Sequence, residues 1–276
     1  MLKDVVVNLS GRTPRDFAAE YAISIAATFG AHITGISFVY EPVIPDGTLG
    51  GGVPADLIEL QREENSKAAN EAVSRFDAGA KKAGISAETR VLDATFGGAA
   101  TRFAQIARRF DLAVVGQAQR EGGAGDELMI EGALFESGRP IVVVPYIQQR
   151  GLTLERVLAC WDGSRTAARA IGDAMPLLER AKAVDIVIVA EERKSEEMTG
   201  TNMGAHLVRH GVAATVKRVT KGDIAIEDVL LSYAADSGAD FMVMGGYGHS
   251  RLREFILGGV TRGILASMTV PVLMSH

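Results

Sequence analysis

Two glycine-rich segments near the end of the chain have the composition of a phosphate-binding loop. The first is Gly245-Gly246-Tyr247-Gly248, and nine residues separate it from the second, Gly258-Gly259-Val260-Thr261. Glycine lets the backbone approach an anion closely, and successive N–H groups can then surround phosphate oxygens. His249 and Ser250 add side chains that can donate to the same phosphates. This interpretation requires the amides around residues 245–261 to be free of other partners and to point at one ligand.

The carboxylate of Asp162 is a second candidate for ligand binding. It follows the apolar run Arg156–Trp161 and precedes Gly163 and Ser164, and Ser164 is a suitable helix N-cap. A carboxylate at a strand tip can accept hydrogen bonds from ribose hydroxyls or from an adenine amine. The alternative is that Asp162 and the glycines are only turn residues, because glycine after a strand is common in turns.

Short apolar runs alternate with segments of helical periodicity, and these elements must position the candidate residues. In the second half, strands are predicted at Arg156–Trp161, Val184–Val189, Ala214–Val219, Phe241–Met244 and Val270–Met274, and helices at Ser164–Arg180, Thr199–His210, Ile224–Asp236 and Arg251–Ser267. This alternation predicts a parallel sheet with helices on both faces. Ligands of such sheets bind beyond the carboxyl ends of the strands, where Asp162 and the glycine loop both fall.

The first half repeats the same order of elements. Strands are predicted at Val5–Leu9, Ile33–Val39, Thr89–Leu92, Leu112–Val115 and Ile141–Val144, and helices at Pro14–Phe29, Ala55–Ala83, Ala99–Arg109 and Gly125–Glu136. The run Asp111–Gly116 mirrors Asp240–Gly245, and aligning the two first strands places Leu9 on Asp162. The duplication predicts two domains, residues 1–148 and 151–276, with a boundary near Gln148–Gly151.

These motifs together resemble the universal stress protein family. The family pattern is Gly, two residues, Gly, nine residues, Gly and then Ser or Thr, and Gly245, Gly248 and Gly258 match it in spacing. Asp162 with its following small residues is similar to the family's first-strand Asp. Gly259 departs from the pattern, because the family has Ser or Thr there; Thr261 could compensate for the lost hydroxyl. The resemblance covers nearly the whole chain as two copies.

The resemblance implies two doubly wound parallel five-stranded sheets of the α/β class, with the flavodoxin-like strand order 3-2-1-4-5 of the adenine nucleotide alpha hydrolase-like fold. It implies an adenine nucleotide, with ATP favoured over ADP or AMP, bound with or without Mg²⁺. The base would contact the backbone at Val189 and Ala190, and Asp162 would lie near the adenosine. The residues implied to line the phosphates are Gly245, Gly248, His249, Gly258, Gly259, Val260 and Thr261. The family's fifth strands often pair across a dimer interface, so we expect such pairing within this chain and a homodimer as a further option.

The nucleotide site of the first half looks degenerate. Leu9 stands in place of the acidic residue, and Gln117–Gly125 lacks the family spacing. Glu127 and Glu131 follow in the next predicted helix and would disfavour phosphate through charge repulsion. We therefore expect the first half to be structural or regulatory.

Composition and the remaining motifs exclude several classes of function. The 276 residues carry a formal net charge of -5 and form no clustered Lys/Arg stripe, which argues against a nucleic-acid partner. A single cysteine, Cys160, and the absence of a 20-residue apolar run or a signal-like segment predict a cytoplasmic protein with no membrane partner. His206 and His210 stand four residues apart on a predicted helix, and solvated side chains are favoured over a metal site.

The function that these observations favour is a nucleotide-binding protein of stress response or regulation. No phosphate loop with Gly-Lys-Ser/Thr and no catalytic base beside the glycines is present, so at most slow ATP hydrolysis is expected. The alternatives are a dimerising interaction scaffold without nucleotide and an enzyme of the wider adenine-nucleotide superfamily.

Overall fold

The computed structural model describes residues 1–11, 13–41, 54–119, 124–190, 201–246 and 259–276. The chain divides into two compact units, Leu2–Ser137 and Gly138–His276. The boundary predicted at Gln148–Gly151 lies after the strand Ile141–Val144, whereas this division falls before it. The reason is pairing, because that strand forms its antiparallel ladder with the last strand of the chain.

The first unit alternates strands and helices as its sequence predicts. Its elements are β1 (Asp4–Asn8), α1 (Phe17–Phe29), β2 (His32–Tyr40), α2 (Ala55–Ala83), β3 (Ala87–Ala94), α3 (Gly98–Ala107), β4 (Leu112–Gly116) and α4 (Ala124–Glu136). The strand order is β3-β2-β1-β4, which reproduces the first four positions of the predicted 3-2-1-4-5.

The second unit contains the remaining elements. They are β5 (Ile141–Val144), β6 (Val157–Cys160), α5 (Arg165–Asp173), α6 (Met175–Leu178), β7 (Val184–Ala190), α7 (Thr201–Arg209), β8 (Ala214–Thr220), α8 (Ile226–Ser237), β9 (Phe241–Gly245), α9 (Gly259–Ser267) and β10 (Val272–Ser275). The order β8-β7-β6-β9-β10 is parallel throughout and is the predicted 3-2-1-4-5 in full. The predicted α/β fold class is therefore confirmed.

The strand β5 pairs with β10 in the antiparallel direction. Val143 is opposite Val272, and Ile141 is opposite Met274. All four residues of each strand are buried. This is the pairing of fifth strands that the resemblance implies.

Burial explains the sequence patterns of the strands. The central strands are covered on both faces, so β4, β6 and β9 are nearly continuous apolar runs. The edge strands β3 and β8 alternate between half-buried and exposed residues, which fits one solvated face. One predicted element is wrong in detail. The helix predicted at Ser164–Arg180 breaks at Ala174 into α5 and α6, because Pro176 in the first turn of α6 lacks the N–H that would continue the ladder.

Candidate functional site

The site predicted from sequence lies at the topological switch point of the second sheet. Strand β6 pairs with β7 on one side and with β9 on the other. Ala159 is opposite Val243, so the residues that follow these two strands emerge side by side at the carboxyl edge. In doubly wound sheets this crevice is where ligands bind.

The turn after β6 positions Asp162 and starts α5. Asp162 is exposed, and its Oδ1 accepts a hydrogen bond of 2.9 Å from the Ser164 amide. Gly163 has a φ of 78°, in the left-handed region that favours glycine. Ser164 then caps α5, its Oγ accepting from the Ala167 amide at 3.1 Å. The structure therefore presents Asp162 at the strand tip, as predicted.

Cys160 ends β6 two residues before Asp162. Loss of solvation by burial, together with the negative charge of Asp162, raises the pKa of its thiol to about 12. The thiolate is the reactive form of cysteine, so the thiol is inert at neutral pH. This agrees with the interpretation of Cys160 as a structural residue.

Close packing against α5 explains why residue 245 is a glycine. A Cβ added to it would lie 2.5 Å from the Ala167 backbone nitrogen and 2.6 Å from the Thr166 carbonyl carbon. The end of β9 therefore rests directly on the first turn of α5, where no other residue fits without movement. Contact with a helix, rather than with phosphate, accounts for this position.

Gly246 does not offer its amide to a ligand. The residue is buried, and its N–H donates to the Ser275 carbonyl at 2.9 Å. Its own carbonyl lies 3.1 Å from the His276 Nδ1. The expectation that the amides around residues 245–261 are free is therefore wrong at Gly246. Sequence reasoning did not identify Ser275 and His276 as hydrogen-bond partners of Gly246. Both lie at the end of β10, and the predicted strand order places β10 beside β9.

The second glycine segment leads into α9. Gly259 is the first residue of α9 and is exposed, with no atom within 4 Å of an added Cβ. Val260 is half-buried, whereas Thr261 is only 4% exposed. The exposed start of α9 is thus the part of this segment that a ligand can approach among the residues described.

The predicted base contacts lie at the end of β7. Val189 is opposite Val219 and Ala190 is opposite Thr220, and both are half-buried. The Ala190 carbonyl accepts from the Lys221 amide at 3.3 Å. Four further predicted residues, Gly248, His249, Ser250 and Gly258, lie outside the described residues.

The strand registers correct the alignment of the two halves. Val5 is opposite Leu112 and Val157 is opposite Phe241, so β1 and β6 correspond at an offset of 152 residues. Leu9 is consequently equivalent to Trp161, and each donates its amide to the neighbouring strand. The residue equivalent to Asp162 is Ser10 rather than Leu9. The alignment from sequence was wrong by one position, because an apolar run does not define its own register.

At the carboxyl edge of the first unit, two side chains of this unit bond to the backbone of Ser10. The Ser10 amide donates to Asp16 Oδ2 at 2.7 Å, and Arg75 Nη2 donates to the Ser10 carbonyl at 3.3 Å. In α4, burial and then the charge of Glu127 raise the pKa of the Glu131 carboxyl. These contacts fit the interpretation of a degenerate site in this unit.

A cavity of about 590 Å³ lies at the other edge of the second sheet. It is bounded by the end of α8 and by residues that precede β6, β9 and β10, namely Glu155, Asp240 and Val270. These are the amino ends of the strands, so the cavity is separate from the predicted site. Within the described ranges there is no group of three or more His, Cys, Asp or Glu side chains suited to a metal ion. None of the described helices is both long enough and apolar enough to cross a membrane.

Comparisons with known proteins agree with this architecture. The family model of the universal stress protein family matches residues 153–276. A universal stress protein from Synechocystis sp. is 36% identical over 47 residues, a match that spans 17% of this chain and 16% of that protein. A universal stress protein from Archaeoglobus fulgidus superposes with a TM-score of 0.72 at 18% identity, covering 99% of this chain and 95% of its own.

A second solved structure, a putative universal stress protein from Pseudomonas aeruginosa, has a TM-score of 0.65 at 14% identity, with 99% and 93% of the two chains covered. At these identities the structures establish a shared fold alone. Over residues 153–276, this chain is similar to the universal stress protein family.

Proposed function

We propose that the second unit binds an adenine nucleotide, with ATP favoured, and that the protein acts in stress response through this ligand rather than as a catalyst. The observation that carries the proposal is the placement of Asp162 and the end of β9 side by side at the switch point between β6 and β9. An exposed carboxylate there can accept hydrogen bonds from ribose hydroxyls or an adenine amine.

The phosphate contacts are assigned to the later part of the glycine loop. Gly245 and Gly246 are engaged by α5 and β10, so they hold the start of the loop. The proposed contacts are Gly248, His249, Ser250 and Gly258 to Thr261. The exposed amino end of α9 supports this assignment, because the helix dipole favours an anion there.

Calorimetric titration of the intact protein with ATP, ADP and AMP, each with and without Mg²⁺, tests the proposal. We expect one nucleotide per chain. Asp162→Asn keeps an oxygen for the Ser164 amide but loses the charge, so Kd should rise about tenfold or more. Ser10→Ala, at the equivalent position of the first unit, is the matched control and should leave Kd unchanged. Absence of binding, or equal effects of the two variants, would refute the assignment.

A scaffold without nucleotide is the second candidate. The internal hydrogen bonds of Gly246 and the lack of a hydroxyl at Gly259 favour it. Mass spectrometry of small molecules released from freshly purified protein distinguishes the candidates, because a scaffold would release no adenine nucleotide. A turnover assay on the same sample measures whether ATP is hydrolysed at all.

A further inference from the structure

Two histidines lie four residues apart at the carboxyl end of α7. His206 is within the helix, and His210 directly follows its last residue. His206 is half-buried and His210 is exposed, and their ring centroids are 4.7 Å apart. Residues four apart on a helix are neighbours on one face, so both rings can reach a common point above it. The proposed nucleotide site uses neither residue.

The separation of the rings suits a metal chelate. Imidazole nitrogens bind Zn²⁺ at about 2.0–2.1 Å, which places the metal about 3.2 Å from each ring centre. The ring planes are inclined at 62°, and two ring centres 4.7 Å apart subtend an angle of about 95° at a metal that one nitrogen of each ring faces. That angle is close to the right angle of tetragonal Cu²⁺ or Ni²⁺ sites.

The backbone that carries the rings is held in place. Leu207, between them, is fully buried, and Gly204 packs closely enough that a Cβ there would lie 3.0 Å from Val216 Cγ2. The helix ends at Arg209. Gly211 follows with a φ of 77°, and the amides of His210 and Val212 donate to the Leu207 carbonyl at 3.0 and 3.1 Å. A fixed backbone reduces the entropy lost when two ligands bind one ion.

We propose that His206 and His210 chelate a divalent transition-metal ion, with water completing its coordination. Imidazole is a preferred ligand of copper, nickel and zinc, and the Irving–Williams order places Cu²⁺ first among them. Arg209 adds a positive charge on the same turn but is exposed, so solvent and salt screen it. With two protein ligands the ion keeps open positions and exchanges readily.

Titration of the nucleotide-free full chain with CuCl₂, followed by calorimetry and electron paramagnetic resonance, tests this site. We expect one Cu²⁺ coordinated by two imidazole nitrogens. His206→Asn and His210→Asn should each weaken binding about a hundredfold, because either substitution removes the chelate. Arg209→Gln is the matched control on the same turn and should bind at least as tightly as the wild type.

Thermal unfolding provides a second measurement that separates binding from folding. Without metal, the two histidine variants should unfold at the temperature of the wild type, since both side chains face solvent at least in part. With Cu²⁺, only the wild type and Arg209→Gln should gain stability. The proposal is overturned if either histidine variant binds Cu²⁺ as tightly as the wild type.

Discussion

Cys160 and Asp162 show how one residue changes the chemistry of another at the strand tip. The carboxylate and the loss of solvation together hold the thiol in its protonated form. A thiol with a pKa near 12 is almost entirely protonated at pH 8, whereas an exposed cysteine is partly ionised there. The pair therefore places a carboxylate at the proposed ligand site without creating a reactive cysteine.

Alkylation of the native protein by iodoacetamide at pH 8 should be at least about a hundredfold slower than that of free cysteine. The reactivity should recover in denaturant, because the thiol then regains its ordinary pKa. Mass spectrometry of the modified chain over time measures both rates. Rapid labelling of folded protein at Cys160 would contradict a thiol pKa raised to about 12.

Gly245 and Gly116 form a matched pair of glycines at the ends of equivalent strands. A Cβ on Gly245 would meet the backbone of α5 at 2.5 Å, whereas a Cβ on Gly116 would meet only the Ala18 Cβ at an ordinary 3.9 Å. Neither residue has a positive φ, so packing alone distinguishes them.

Gly245→Ala should lower the free energy of unfolding by about 2 kcal/mol, because backbone must move to admit the methyl group. Gly116→Ala should be neutral or slightly stabilising, since alanine reduces the entropy of the unfolded chain. Calorimetric melting of the two variants beside the wild type measures the difference. Equal effects would show that the contact with α5 does not constrain Gly245.

At the scale of elements, a buried carboxylate on β7 links the start of β6 and the helix α8 of the second unit. Asp185 on β7 is 3% exposed, and its Oδ2 accepts from Arg156 Nη1 at 3.0 Å and from the Tyr233 hydroxyl at 3.1 Å. Burial, followed by the charge of Asp185, raises the pKa of Tyr233 on α8, which keeps that phenol a donor. The link therefore orients α8 against β7.

Arg156→Met should destabilise the protein by about 2–3 kcal/mol, because it leaves the Asp185 charge buried with a phenol as its remaining side-chain partner. Arg90→Met breaks an exposed pair with Glu88, at 3.8 Å, and should cost no more than about 0.5 kcal/mol. Thermal melting at constant salt checks the comparison. A cost for Arg156→Met as small as that for Arg90→Met would remove the role assigned to the buried pair.

At the scale of the whole molecule, the two units share bonding at their amino edges and differ at their carboxyl edges. Asp111 accepts from the amides of Lys3 and Asp4, and Asp240 accepts from those of Glu155 and Arg156. At the carboxyl edges, however, Ser10 replaces Asp162, and its amide and carbonyl are both engaged. The two units thus share the bonding at their amino edges and differ at the edge where the ligand site is proposed.

A Ser10→Asp substitution should not create a second nucleotide site, because Asp16 and Arg75 already occupy the backbone at that tip. We expect calorimetry with ATP to give one nucleotide per chain for both this variant and the wild type. A stoichiometry of two would show that the first unit is competent to bind. Adding Asp162→Asn to Ser10→Asp identifies which unit retains binding.

The sequence by itself determined the alternation of elements, the fold class and the position of Asp162 at a strand tip. These follow from local properties, since buried strands need continuous apolar runs and polar residues concentrate in the turns after them. The continuous helix predicted at Ser164–Arg180 overlooked Pro176, although its missing N–H is a local property.

Only the tertiary structure decided what the glycines at the end of β9 do and how the two halves align. Position 245 must be glycine because helix α5, almost eighty residues earlier in the chain, packs against it. The Gly246 amide donates to β10, which follows it in the chain. The equivalence of Ser10 with Asp162 depends on strand register, which inter-strand hydrogen bonds determine. Contacts between residues distant in sequence leave no local pattern, so packing and pairing had to be seen in three dimensions.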